Sequence, residues 1–405
     1  PPSPHCVTKR ITMSACSLLA FALALQLALA LGPPPKVAVD LDAPPRERYA
    51  NAVDAALTAV PFASSFSPVF ANHNASLFSK MDESAYDVLF ASLQEHFSVV
   101  AEELEGIAAA ISAHPAGGPV TARYLAAWTW FHELAHSELM DPELRAQRAC
   151  TGIVVQSPEG EIGHGRNMDQ SPATVRNLTL HLQFTRSGSV VFDAVDWYWF
   201  AGGVMTAVRA GSAAMQENWR FGSVSSASVI NAAKEGTMPQ LLLFRTALSA
   251  ERTPSFSDVL AQISNTLLAA PMYAVVSGVQ PGEGAIVVRN LTGAEQIVRL
   301  GDAPHTSSLR AAAAANSGPV GSYFIAQTNY DPDKPEPPQD PRRAVVSEAL
   351  EAMGVSEGST DLGLFAAVST YPVYNCGTAY TAVMRASDGS LKPFVRQLWP
   401  GCEEQ

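Results

Sequence analysis

Apolar positions along the chain change their period near residue 150. In RERYANAVDAALTAV and AYDVLFASLQEHFSVVAEELEGIAAAISAH, between Arg46 and about His114, they recur every three or four residues, which predicts helices. Ala-Gly-Gly-Pro at 116 to 119 breaks that run, and a further helix is expected over roughly residues 120 to 148. Ahead of the helices, residues 33 to 45 (PPPKVAVDLDAPP) read as a strand between proline clusters. After Cys150 the period shortens toward two. CTGIVVQ, Ser-Pro-Glu-Gly and EIGHGRN predict one hairpin; LTLHLQFT, Arg-Ser-Gly-Ser and VVFDAVDWYWF predict a second. MYAVVSGV, Pro-Gly-Glu-Gly and AIVVRNL predict a third. Further strands are expected at 321 to 328 and 379 to 385, and helices at 226 to 250, 256 to 270 and 342 to 353. Antiparallel hairpins with interspersed helices predict an α+β layered architecture. The Pro-rich stretch at 331 to 341 reads as a functional surface loop.

Composition adds a compartment. The 405 residues are 47% hydrophobic and 16% charged, ample for a core. A formal net charge of −12 without a Lys/Arg cluster argues against a nucleic-acid partner. Met13 opens an apolar run of about 15 residues ending in small residues, which suits a signal peptide and is short for a membrane span. Leader and signal are assigned to residues 1 to 32, with a signal anchor as the alternative. Sequons at Asn74, Asn177 and Asn290 suit the same secreted or lumenal route. Of five cysteines, Cys6 and Cys16 fall in the leader. Cys150, Cys376 and Cys402 remain, an odd set that predicts one free thiol. A Cys376–Cys402 disulfide is open, since spacing alone does not establish geometry.

The candidate chemistry begins with His132-Glu133-Leu134-Ala135-His136, an HExxH whose histidines would share a helix face and bind zinc. An amphipathic helix with two half-buried histidines accounts for it as well. Cys150 opens a strand, where a small residue is ordinarily core. Arg166 and Asp169 end the partner strand: a guanidinium near a thiol favours the thiolate, and Asp169 would orient that arginine or hold an amine. A structural ion pair is the bland reading. Asn329, after a strand, can donate its amide NH2 to a developing oxyanion; a turn explains it equally. Asp340-Pro341-Arg342-Arg343 opens a helix, with a solvated charged start as the plain reading. Residues 197 to 203 (WYWFAGG) suggest an apolar wall or membrane-facing edge, or else a buried strand end.

CTGIVV…HGRNMD, QTNYDP and Asp-Pro-Arg-Arg resemble the acid ceramidase and N-acylethanolamine acid amidase family of cysteine-type N-terminal-nucleophile hydrolases. The likeness runs from VDLDAPP (39 to 45) through EELEGIAA (102 to 109) to PVYNCGTAYTAVM (372 to 384). It implies a four-layer αββα sandwich made of a helical α-subunit segment, 33 to 149, and a β-subunit, 150 to 405. Self-cleavage between Ala149 and Cys150 would make Cys150 the new N-terminus. By resemblance Cys150 is the nucleophile, and Arg166 and Asp169 contact the new N-terminus and the substrate. Asn329 matches the oxyanion-hole Asn, and Arg342 the first Arg of the family's Asp-Asp-Arg-Arg. Glu217, in QENWR, loosely resembles the family's Asn-Glu-Arg, interrupted by an extra residue. Gly152 replaces a Ser, and Pro341 an Asp. Phe131-His132-Glu133-Leu134 falls on the family's Phe-Tyr-Glu-Leu helix, which weakens the zinc reading. The implied activity is hydrolysis of a fatty-acyl lipid amide, ceramide first and N-acylethanolamine as the alternative, without a cofactor. It would act at a membrane or lipid-aggregate surface, in a lysosome or similar acidic lumen, or outside the cell. A catalytically dead lipid-binding homologue and a zinc peptidase through His132, Glu133 and His136 are the remaining alternatives.

Overall fold

The short period after Cys150 becomes two sheets in the computed structural model, which describes residues 30–141, 150–302 and 323–402. Most of the expected leader, Ala149 and the end of the helix expected before it lie outside the described residues. The first elements among the described residues are two strands, β1 (Ala30–Gly32) and β2 (Lys36–Asp40). Helices α1 (Ala50–Ala59), α2 (Phe66–Ser76), α3 (Glu83–His96), α4 (Ser98–Ala113), α5 (Ala122–Thr129) and α6 (Phe131–Ala135) follow. Then come β3 (Cys150–Gln156), β4 (Ile162–Asp169), β5 (Leu180–Arg186), β6 (Ser189–Asp196), β7 (Thr206–Val208) and β8 (Ala214–Trp219). Helices α7 (Ser226–Lys234), α8 (Gln240–Leu248) and α9 (Phe256–Asn265) precede β9 (Met272–Ser277), β10 (Gly284–Arg289), β11 (Ala294–Arg299) and β12 (Phe324–Gln327). The chain closes with α10 (Arg342–Gly358), α11 (Asp361–Val368), β13 (Thr378–Arg385) and β14 (Ser390–Arg396).

One sheet has the order β1-β14-β13-β4-β3-β12 and the other β11-β10-β9-β8-β7-β6-β5-β2. The two face each other through β3, β4, β8 and β9, with α10 and α11 covering the first and α8 and α9 the second. This is the four-layer αββα arrangement. Strand β3 is buried on both faces, which is why it reads as a nearly continuous apolar run. Ile153 and Val155 pack under α10 and α11, whereas Val154 packs against Val275 and Ile286 of the opposite sheet. Even positions of β3 therefore look between the sheets and odd ones toward the helices.

The segment before Cys150 is built into this sandwich. Strand β1 pairs with β14, and β2 runs parallel to β5, so each sheet takes an edge strand from it. Glu103 of α4, buried, accepts two hydrogen bonds from Arg245 of α8 at 2.6 Å each and one from Arg48 at 2.9 Å. Cys376 and Cys402 form a disulfide with Cα atoms 5.6 Å apart, leaving Cys150 as the free cysteine among the described residues.

Several expectations need correction. The helix expected over 120 to 148 is broken at Trp130 into α5 and the five-residue α6. The helix expected over 226 to 250 is two, separated by Gly236 at φ +73° and by Pro239 before α8. The second hairpin stops at Asp196, whose carboxylate accepts from the backbone N–H of Trp197 (2.6 Å), Tyr198 (2.7 Å) and Met205 (2.6 Å). That carboxylate turns the aromatic run out of the sheet and pinches the loop closed. Trp197, Tyr198, Trp199 and Phe200 are fully buried, with Phe200 packed on Phe66, Phe70 and Trp128. They form core, and a membrane-facing edge is excluded for them. Strands β1, β7, β8, β11 and β14 and helix α11 were not expected, and β1 falls within residues 1 to 32, the stretch assigned to leader and signal.

Arg245→Ala leaves Glu103 buried with one partner fewer, and should cost about 3–5 kcal/mol. Urea unfolding of wild type and variant checks this; a loss under about 1 kcal/mol would match an exposed pair instead.

Candidate active site

The site lies where β3, β4, β8 and β12 end together. Cys150 is 4% exposed, and its Sγ faces the inter-sheet space. Arg166, two residue pairs along the β3–β4 ladder, shares that face. Its Nη2 lies 3.8 Å from Cys150 Sγ and 3.0 Å from Met168 Sδ, and it donates to Glu217 O at 2.8 Å. Nη1 donates to Met205 O and to Thr206 Oγ1. Thr206 Oγ1 in turn lies 2.7 Å from Tyr380 Oη, which donates to Val195 O. Burial would depress the Arg166 guanidinium, but Tyr380, Cys150, Glu217 and Asp196 around it raise it, so it stays charged.

Asp169 sits on the other face of β4. An interval of three residues along a strand reverses the side chain, so the expected Arg166–Asp169 pair does not form. Asp169 accepts instead from Thr378 Oγ1 at 2.5 Å and Asn375 Nδ2 at 3.0 Å, with Arg342 Nη1 3.9 Å away. Burial pushes its carboxyl up to about 6 against the pull of Arg342 and those two hydrogen bonds.

Arg342 is buried, not the solvated helix start of the plain reading. Its Nη1 donates to Cys150 O at 2.8 Å and Nη2 to Asn329 Oδ1 at 2.9 Å, while Asp340 takes Nε at 2.7 Å and Nη2 at 3.0 Å. Burial lowers it and Asp340, Asp169 and Glu336 raise it, leaving a permanent cation. Asn329 Oδ1 also accepts from Cys150 N at 2.8 Å, and its Nδ2 donates to Trp219 O at 2.7 Å. In this orientation the amide oxygen holds the Cys150 nitrogen, and one N–H of its NH2 is taken by the Trp219 carbonyl.

The thiol departs from the expectation of a thiolate. Burial raises Cys150 above its ordinary value; Arg166 lowers it, Glu217 and Asp169 raise it further, and the net direction is upward. A neutral thiol in this setting needs a base at hand.

The HExxH residues have separate tasks. His132 Nδ1 lies 3.9 Å from Glu217 Oε1, His136 stacks on Trp219 at 3.6 Å, and Glu133 Oε1 accepts from Gln240 N at 2.6 Å, capping α8. His132 and His136 are joined by a helical hydrogen bond and both rings pack against Trp219, but among the described residues no third His, Cys, Asp or Glu joins them in a group that could hold a metal. The Pro-rich loop is tied down by Glu336, which accepts from Thr328 Oγ1 and, at 2.7 Å, from Arg343 N. The sequons place Asn74 and Asn177 on the surface and Asn290 in a turn that it closes by accepting from Thr292 N and Gly293 N. Thr206, Thr378, Asn375 and Tyr380 were missed as site residues. The PVYNCGTAY run that holds three of them was the available signal.

Fold and site together define a four-layer αββα protein with a buried cysteine at one end of its inter-sheet space. No family model matches the chain. It is 31% identical over 257 residues to the N-acylethanolamine-hydrolyzing acid amidase of Rattus norvegicus, covering 63% of this chain and 65% of that protein. It is 26% identical over 279 residues to the acid ceramidase of Homo sapiens, covering 62% and 63%. Among solved structures, the Caenorhabditis elegans N-acylethanolamine-hydrolyzing acid amidase ortholog superposes with a TM-score of 0.48 at 24% identity, covering 59% of this chain and 93% of that one. Over this part of its length the chain is similar to members of the acid ceramidase and N-acylethanolamine acid amidase family. It spans less than two thirds of the length of these two curated relatives.

Burial pushes Glu133 up to about 7, opposed by the Gln240 N–H and its own backbone. The folded chain thus holds a proton that the unfolded chain releases near 4.5. Its contribution is full below about pH 4.5 and lost as pH rises through about 7. Glu133→Gln, which mimics the protonated acid, should flatten the fall in urea midpoint between about pH 5 and 7. Parallel wild-type and variant curves would show that Glu133 does not titrate in that window.

Proposed function

We propose that this protein is a self-processing cysteine amidase that hydrolyses the amide bond of fatty-acylated lipids. The observation that carries this is the convergence on Cys150: Arg166 on its sulfur, and Asn329 and Arg342 on its backbone nitrogen and carbonyl. In the precursor, Cys150 Sγ attacks the Ala149 carbonyl and the C–N bond breaks. The nitrogen takes the thiol proton, and water cleaves the resulting thioester. The freed α-amine has an ordinary pKa of about 7.7–8.0. Asn329 Oδ1 would keep it in place, so it can take the proton of a thiol that burial holds neutral.

In turnover the thiolate attacks the substrate carbonyl while the new ammonium faces it. Negative charge develops on the carbonyl oxygen, and the Arg166 cation is the nearby charge that stabilises it. The ammonium returns its proton to the leaving nitrogen as the C–N bond breaks. Water then attacks the acyl-thioester, losing its proton to the amine, and the fatty acid departs. Asp169 and Arg342 form the polar wall on the opposite side of the strand.

The higher identity to the amidases supports an N-acylethanolamine head group over ceramide, reversing the order of preference drawn from the motifs. An acidic lumen, a lysosome or its equivalent, suits the carboxyls of Asp169 and Asp196, which burial pushes up to about 6. No helix among the described residues is long and apolar enough to cross a membrane.

Cys150→Ala should abolish both the chain break before residue 150 and amide hydrolysis. N-terminal sequencing of the fragments and release of fatty acid from N-acylethanolamine and ceramide at acid pH check the two effects. Survival of either in the variant would remove Cys150 from that role.

A further inference from the structure

A line of buried polar side chains runs between the two sheets, and the reaction proposed above does not use it. Ser277 ends β9, His164 lies on β4, and Gln216 and Asn218 are alternate residues of β8; all four are closed to solvent. His164 Nδ1 lies 3.1 Å from Ser277 Oγ, and its Nε2 lies 3.0 Å from Gln216 Oε1. Gln216 Nε2 donates to Asn218 Oδ1 at 2.5 Å. Asn218 Nδ2 donates to the carbonyls of Gln327 and Thr328 at 3.1 Å each and reaches that of Cys150 at 3.4 Å. One proton arrangement satisfies the whole line. The serine hydroxyl donates to Nδ1, Nε2–H donates to the glutamine oxygen, and each amide NH2 donates onward. It requires a neutral imidazole, and burial holds His164 down at about 3.

Two further observations give the line a purpose. The β3–β12 ladder ends at the pair Gly152–Gln327, so Cys150 and Asn329 both lie beyond it. Asn218, bonding to carbonyls of both strands past that point, joins the two ends that carry them. Gly152 also leaves the room that Gln216 fills. A Cβ there would lie 2.4 Å from Gln216 Nε2, 2.6 Å from Cδ and 2.8 Å from Oε1, its three nearest atoms. A non-bonded Cβ is essentially never found this close to another heavy atom, so a side chain at 152 displaces the glutamine.

We propose that the Ser277–His164–Gln216–Asn218 line is a positioning element that holds Cys150 in register with Asn329, and that it requires glycine at 152. This rests on the reading of Cys150 as the nucleophile. None of the four residues touches the reacting sulfur; they act through the backbone of β3 and β12. A misplacement of about 1 Å in such a site costs on the order of a hundredfold in rate.

The test is a double-mutant cycle of wild type, Gly152→Ala, Gln216→Ala and the two combined, assayed on N-acylethanolamine and ceramide. Each single variant should lower kcat about tenfold or more with KM within about twofold. The combined variant should be no slower than Gln216→Ala, because the added methyl then occupies vacated space. Multiplying losses, or a kcat unchanged in Gln216→Ala, overturn the proposal. Urea midpoints for all four, with kcat measured well below unfolding, separate positioning from mere loss of fold. Should Gly152→Ala fail to fold, recovery of folding in the combined variant supports the coupling, and its absence refutes it. Should wild type hydrolyse neither lipid, the proposed function fails, and alkylation of Cys150 by iodoacetamide reads the same cycle. Equal alkylation rates across the four would then overturn the positioning line on its own.

Discussion

The arrangement depends on keeping two guanidinium groups charged inside an apolar sandwich. Taking such an ion out of water costs several kcal/mol unless its N–H groups are matched. The terminal nitrogens of Arg166 are matched by the carbonyls of Met205 and Glu217 and by the Thr206 hydroxyl, while its buried Nε has no hydrogen-bond partner among the described residues. Those acceptors are in place because Asp196 pinches the loop from 197 to 205, and because Tyr380 links Thr206 to Val195. Arg342 is matched by Asp340, Asn329 and the Cys150 carbonyl, at the first turn of α10. Much of the sheet connectivity around Cys150 can be read as the scaffold these two cations need.

The cations also separate the site into two compartments. On one side of β4, Arg166 and Met168 surround the thiol; on the other, Asp169 meets Arg342, Thr378 and Asn375. The strand backbone keeps the carboxylate from neutralising the guanidinium nearest the sulfur. Arg166 therefore keeps its field for whatever charge develops at Cys150. Burial still outweighs that field for the resting thiol, which fits a nucleophile whose base is an amine produced in situ.

What could be read from the sequence follows from how the surroundings treat each pattern. Strands β3 and β4 were legible because burial on both faces yields an apolar run that a hairpin turn interrupts. Strand β8 was not, since Gln216 and Asn218 face a buried polar line while Glu217 faces His132. No alternation of apolar and polar residues survives there. The Arg166–Asp169 pair was mistaken because proximity in sequence was taken for proximity in space, and strand geometry opposes it. The HExxH failed for a different reason: its spacing does put both histidines on one turn, but they face Trp219 and no third ligand joins them among the described residues. The aromatic run at 197 to 200 looked like surface or strand because nothing local announces that Asp196 would fold it inward. By contrast, Cys150, Asn329 and Arg342 were named from separate stretches of the chain, and the fold brings them into contact.

A cut before Cys150 would not divide this protein into independent bodies. The segment ahead of it supplies the edge strands β1 and β2 to both sheets, and Glu103 takes two of its three charge-assisted hydrogen bonds from Arg245 across the division. Phe66, Phe70 and Trp128 from α2 and α5 close over Phe200, in the loop that supports Arg166. Removing that segment would open the aromatic core and, with it, the carbonyls that hold the guanidinium. The helical segment is thus a wall of the site, and the charge beside the thiol depends on its staying attached.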